Sequence, residues 1–178
     1  IEDGPAPHPT KYDEHKAINA GVQDTAAALG FLQENAALYG IDPDRIIFGG
    51  ASAGAVNAMA FTYALDPDVA GALSFGGGLY GYEEEYFDAD DPPLFMGHGA
   101  VAAMIPADML VGMAHWAEIK NMPHQLMLID DADHDSIYSS TNVENISDAA
   151  TAFFSAQLGF SDLYVPGDSN IDGVFDRM

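Results

Sequence analysis

The chain has 178 residues, 48% of them hydrophobic, and sets 28 Asp and Glu against five Lys and Arg, for a formal net charge of -23. That length and composition suit one domain with a substantial core and exclude a disordered chain. No apolar run approaches the roughly 20 residues of a membrane span, no basic and apolar leader opens the chain, and the acidic balance disfavours nucleic acid and anionic membrane as partners. With no cysteine, disulfides, thiolate nucleophiles and thiolate metal sites are also excluded. The charge reads as a solvated acidic shell, with a specific cationic partner as the alternative, and salt should screen its self-repulsion, so stability is expected to rise with ionic strength.

In chain order, Ile1 to Tyr12 carries Pro5, Pro7 and Pro9 and reads as extended or irregular. Asp13 is placed to cap a helix in which Ile18, Val22, Leu29, Leu32 and Ala36 recur at helical spacing, ending at Tyr39 before Gly40. Asp42-Pro43-Asp44 turns the chain into a strand through Ile46, Ile47 and Phe48, and an alanine-rich helix follows Ser52 as far as about Leu65. Gly71 to Phe75 reads as a strand, Gly76-Gly77-Gly78 as a loop, and Tyr80 to Asp91 as an acidic, aromatic insertion that is either a solvated loop with a few anchoring rings or a pocket rim. Leu94-Phe95-Met96 reads as a strand with His98 in the turn after it, Ala107 to about Asn121 as a helix, and Gln125 to Ile129 as a strand. His134 follows in an acidic loop, and Ser147 is placed to cap a last helix through about Leu158. Strands alternating with helices predict an α/β domain, with a mostly parallel sheet covered by helices on both faces. The composition changes near Ser161, which divides the chain into a domain over 1–160 and a polar segment over 161–178.

The chemistry concentrates where the Ile46 strand meets Gly50-Ala51-Ser52-Ala53-Gly54. A serine on so sharp a strand-to-helix turn is forced into strained backbone and stands exposed above the strand's carboxyl end, and glycines two positions either side let neighbouring chain come close. No two histidines show the i, i+4 ligand spacing around a carboxylate, so a histidine metal site is not expected.

The segment from Phe31 to Ile46, with its Asp42-Pro43 turn, and the run on through Ser52-Ala53-Gly54 resemble α/β-hydrolases of the carboxylesterase and lipase kind over about residues 13–160. The resemblance implies hydrolysis of a small carboxylic ester through an acyl-enzyme, with no cofactor for catalysis. Ser52 matches the nucleophile, the Ala53 N–H an oxyanion donor, and His134 the base, with Asp133 where glycine is more frequent in the family. The family's acid is expected at position 102, which is Ala102, so the acid is unassigned; Asp108 is one candidate, and Asp130, Asp131 and Asp135 lie near His134 in sequence. The family's first strands and glycine-rich oxyanion loop have no counterpart between Ile1 and Asp24, so the chain reads as a partial α/β-hydrolase fold, a fragment of a longer product. A catalytically impaired relative and a peptidase of the same fold are the alternatives.

The tail from Asp168 to Asp176 resembles the opening of a dockerin or EF-hand calcium loop, with Asp168, Asn170, Asp172 and Asp176 as ligands and Gly173 at the bend. The twelfth-position carboxylate of such a loop would fall one residue past Met178. This resemblance implies calcium, an extracellular setting and a docking partner.

Overall fold

The computed structural model describes residues 11–79 and 83–159, with side chains from Lys16 onward. Four strands, β1 (Ile47–Ala51), β2 (Gly71–Phe75), β3 (Leu94–Gly99) and β4 (His124–Ile129), lie side by side in chain order and pair parallel throughout. Around them run α1 (Lys11–Glu34), α2 (Ala36–Tyr39), α3 (Ala53–Ala64), α4 (Glu83–Tyr86), α5 (Ala107–Ile119), a 3-10 turn (Ser136–Tyr138) and α6 (Ser140–Leu158).

The period-two alternation of each strand sorts its side chains between two cores. Ala72, Leu94, Met96 and Leu126 face Met59 of α3 and Leu110, Met113 and Ala117 of α5. Ile47, Leu73, Phe75, Phe95, Met127 and Ile129 face Ile146, Ala150, Phe153 and Phe154 of α6. A third cluster joins α1 to α3 through Val22, Leu29 and Phe61, with Phe48 of β1 packed on it. Helices therefore cover both faces, as the alternation of elements predicts.

Several expected boundaries move. Asp13 lies within α1 and does not cap it. The first helix breaks at Asn35, whose backbone leaves the helical region and whose side-chain Nδ2 donates to the Phe31 carbonyl (2.8 Å). β3 continues through Gly97, His98 and Gly99, so His98 is a strand residue, 1% exposed, and not part of a turn. Ser147 sits inside α6, which begins at Ser140 after Ser139 in extended backbone. The acidic insertion is anchored to the core over its described part: α4 forms within it, and Phe87, Glu83 and Asp91 are buried. Phe87 stands edge-on to Tyr63 of α3 at 4.9 Å, so an aromatic anchor carries the carboxylates inward.

No helix among the described residues is long and apolar enough to cross a membrane.

Candidate active site

Ser52 lies between the end of β1 and the start of α3 at φ 51, ψ -121, a left-handed conformation that costs a non-glycine residue about 1–3 kcal/mol. Its surroundings enforce it. The Ser52 N–H donates to the Phe75 carbonyl at the end of β2 (2.9 Å), and its own carbonyl accepts from Ala55 N (2.9 Å) and Val56 N (3.2 Å) as α3 opens. A Cβ at position 50 would collide with the Gly54 backbone, so Gly50 is obligatory for the crossing. Gly54 is different: a Cβ there meets nothing within 4 Å, so no close approach among the described residues requires glycine at that position. The Ala53 N–H is the first of α3 and, like other first-turn amides, has no partner within its own helix.

Because all strands are parallel, their carboxyl ends share one rim, and the loop after β4 reaches the loop after β1 there. Ser52 Oγ and His134 Nε2 stand 3.0 Å apart, 82 positions separated in sequence. The loop carrying His134 is fastened to its neighbour by Ala100 N–H to the Ile129 carbonyl (2.9 Å) and Val101 N–H to the Ala132 carbonyl (3.0 Å). Asp133 Oδ1 accepts from Ser136 N (2.7 Å), Ser136 Oγ (2.7 Å) and Asp135 N (3.1 Å). Those bonds, the Ser136 ones foremost, hold the Asp133 carboxyl below its ordinary range and brace the 3-10 turn. A carboxylate in the place where glycine is more frequent is thus explained as a turn brace.

Among the described residues no acid completes the pair. His134 Nδ1 is buried and has no hydrogen-bond partner, so Asp108, Asp130, Asp131 and Asp135 do not reach it. Ala102 is buried at 6% exposure in the turn between β3 and α5, and Asp108 lies in the first turn of α5. His98 Nε2–H donates to the Ile105 carbonyl (2.8 Å) across that same turn, while its Nδ1 is also unpartnered. Burial keeps the His98 pKa low, with the nearby His134 acting in the same direction, so His98 is a neutral brace. His124 Nδ1–H donates to the Met122 carbonyl (2.9 Å), and His115 lies on α5 against Trp116. No group of three or more metal-ligating side chains occurs among the described residues. The candidate calcium ligands Asp168, Asn170, Asp172 and Asp176 lie outside the described residues, as does the whole 161–178 segment.

The BD-FAE family model matches residues 10–70, the stretch that contains α1, β1, Ser52 and α3. Secreted lipase 5 of Gibberella zeae is 34% identical over 113 residues, which is 59% of this chain and 21% of the lipase. Esterase 2 of Thermogutta terrifontis superposes in its form phosphonylated by cyclosarin with a TM-score of 0.68 at 17% identity, covering 78% of this chain and 64% of the esterase. Its propionate-bound form gives 0.65 at 20% identity, with 78% and 65% covered. The fold is that of the α/β-hydrolases. The chain spans about a fifth of the lipase and less than two thirds of the esterase.

One side chain at this rim carries no mark in the sequence. Tyr138 ends the 3-10 turn four residues after His134, and its hydroxyl donates to the Phe75 carbonyl (3.3 Å), the acceptor that Ser52 N–H also uses. A tyrosine in an acidic loop has no distinguishing pattern; only the turn's return toward β2 places it.

Proposed function

We propose that the chain carries the nucleophile and base of a serine hydrolase that cleaves small carboxylic esters through an acyl-enzyme. The 3.0 Å approach of Ser52 Oγ to His134 Nε2 carries this reading. In it, His134 takes the Ser52 proton as Oγ attacks the ester carbonyl, and the Ala53 N–H donates to the oxyanion. The protonated imidazole then delivers that proton to the departing alkoxide. In the second half, His134 takes a proton from water, hydroxide adds to the acyl carbon, and Ser52 leaves with its proton restored. The lipase and esterase names of the similar proteins favour an ester over an amide, and the word "secreted" in one of them favours an extracellular setting. Calcium and a docking partner at the Asp168–Asp176 segment belong to the same proposal. They rest on the spacing of Asp168, Asn170, Asp172 and Asp176 alone.

One observation favours a second reading, a catalytically impaired relative: the unpartnered His134 Nδ1 beside a turn that has Ala102 at the family's acid position. In serine proteases, losing the acid lowers turnover by roughly four orders of magnitude while nucleophile and base remain.

A fluorophosphonate probe distinguishes the readings. Covalent labelling that is slow, and that Ser52→Ala abolishes, is the expected result. A folded protein that takes no label over a prolonged incubation would leave the impaired relative as the correct reading.

A further inference from the structure

Among the described residues the imidazole of His134 is held in polar terms at one nitrogen only, since Nε2 meets Ser52 Oγ and Nδ1 has no hydrogen-bond partner. The ring torsion of a histidine is broad and soft, so one hydrogen bond does not fix its plane. In a complete triad the carboxylate supplies the second point. Here the second point is an aromatic ring. Tyr138 stands edge-on to His134, with centroids 5.7 Å apart and planes at 90°, and it leans on Phe75 at 5.0 Å.

The tyrosine can occupy this place because residue 76 is glycine. Gly76 has φ +72, and a Cβ on it would stand 2.6 Å from the Tyr138 hydroxyl and 4.0 Å from His134 Cε1. The hydroxyl donates to the Phe75 carbonyl (3.3 Å), and the Ser52 N–H donates to the same oxygen (2.9 Å). One carbonyl at the end of β2 therefore ties the serine turn to the ring that abuts the histidine. Burial raises the Tyr138 pKa, against the opposing effect of hydrogen bonding with the Ser52 backbone and side chain, so the phenol stays neutral and keeps its proton to donate.

We propose that Tyr138 is the positioning residue of the Ser52–His134 pair, its ring setting the plane of the imidazole and its hydroxyl locking that ring to the Ser52 turn through the Phe75 carbonyl. This rests on the reading of Ser52 and His134 as nucleophile and base. The hydroxyl and the ring separate experimentally. Tyr138→Phe removes one half-buried oxygen and keeps the packing, and the expected fluorophosphonate inactivation constant falls about two- to tenfold, the scale of one neutral hydrogen bond. Tyr138→Ala removes the ring as well, and a further fall of roughly three- to tenfold is expected from the lost aromatic pair. In both variants the loss should lie in the maximal inactivation rate and leave probe affinity unchanged, which a general loosening of the fold would not produce.

A second measurement needs no activity. The His134 Cε1–H resonance, assigned with His134→Gln, should move in Tyr138→Ala, and its titration midpoint should shift. Parent protein that labels at Ser52, with variants matching it in rate and in the His134 resonance, overturns the role of Tyr138 and leaves the hydrolase reading standing. Parent protein that takes no label removes the hydrolase reading. In that case an unmoved His134 resonance overturns the placement of the tyrosine as well, and a moved one supports it.

Discussion

An imidazole with one buried, unpartnered nitrogen has two tautomers, and each leaves something unsatisfied. If Ser52 donates to Nε2, as nucleophilic attack requires, the ring proton sits on Nδ1 with no acceptor; if Nε2 carries the proton, Nδ1 is an acceptor with no donor. Leaving such a group unmet costs about 1–3 kcal/mol, and charging the ring makes the deficit worse. Position 102 is where a remedy can be placed, because the turn holding Ala102 is hydrogen-bonded through Val101 to Ala132, two residues before His134. Ala102→Asp is expected to raise hydrolysis of a simple nitrophenyl ester at least about tenfold, well inside the usual effect of the acid. The variant should also keep its melting temperature, since a carboxylate that found no partner in so buried a turn would cost several kcal/mol. A stable variant with no gain in rate would mean that the turn does not face Nδ1. At this scale the meeting of Ser52 and His134 at 3.0 Å is legible in the sequence, since flanking glycines mark the first and the resemblance to esterases points to the second. Tyr138 is not, because its placement depends on Asp133 bracing a turn that no local pattern announces.

The elements are legible where their own periodicity decides them and obscure where a distant partner does. β2 and β4 follow from short apolar runs, but Gly97-His98-Gly99 reads as a turn until β4 pairs with it and α6 covers it. Likewise the acidic stretch reads as a solvated loop anchored by a few rings, and over its part from Glu83 to Asp91 burial goes further, because Phe87 packs on Tyr63 of α3 and Glu83 and Asp91 are buried with it. That anchoring has a pH signature. Asp91 is 8% exposed, and burial, reinforced by Asp88, Asp66 and Asp90, raises its pKa to about 6 against the hydrogen bond from Asp88 N–H (2.8 Å). Its charge in turn adds to the burial that raises the pKa of Tyr63, whose hydroxyl donates to the Pro92 carbonyl (3.3 Å). The folded state binds the Asp91 proton more tightly than the unfolded state, so its contribution is favourable at low pH and is lost as pH rises through about 6. Asp91→Asn keeps an oxygen for the Asp88 N–H and carries no charge. It should melt a few degrees above the parent at about pH 8, and the gap should close on acidification towards pH 4. A constant gap across that range would show that the carboxylate is not held protonated by the fold.

Across the whole molecule the same repulsion is repeated many times over. The formal charge is -23, and the Arg45–Asp42 pair at 3.4 Å is more than half exposed on both sides, so it contributes at most about 1 kcal/mol. Lys120 turns its ammonium to the Glu84 carbonyl (2.9 Å), a contact with a dipole that cancels no carboxylate. Unfolding separates the acidic groups and relieves the repulsion, which means that counter-ions favour the folded chain by doing the same without unfolding. At about 10 mM salt the screening length is near 30 Å and most of the surface interacts with itself; at about 1 M it is near 3 Å and only immediate neighbours do. The melting temperature is therefore expected to rise steadily between those limits at neutral pH. Salting-out of apolar surface would raise it too, and acidification separates the two causes. Near pH 4 many carboxylates are protonated and little repulsion is left to screen, so a screening effect must shrink there, whereas an effect on apolar burial would persist undiminished. A salt dependence as steep at pH 4 as at pH 7, or none at either, would mean that the acidic shell is energetically idle.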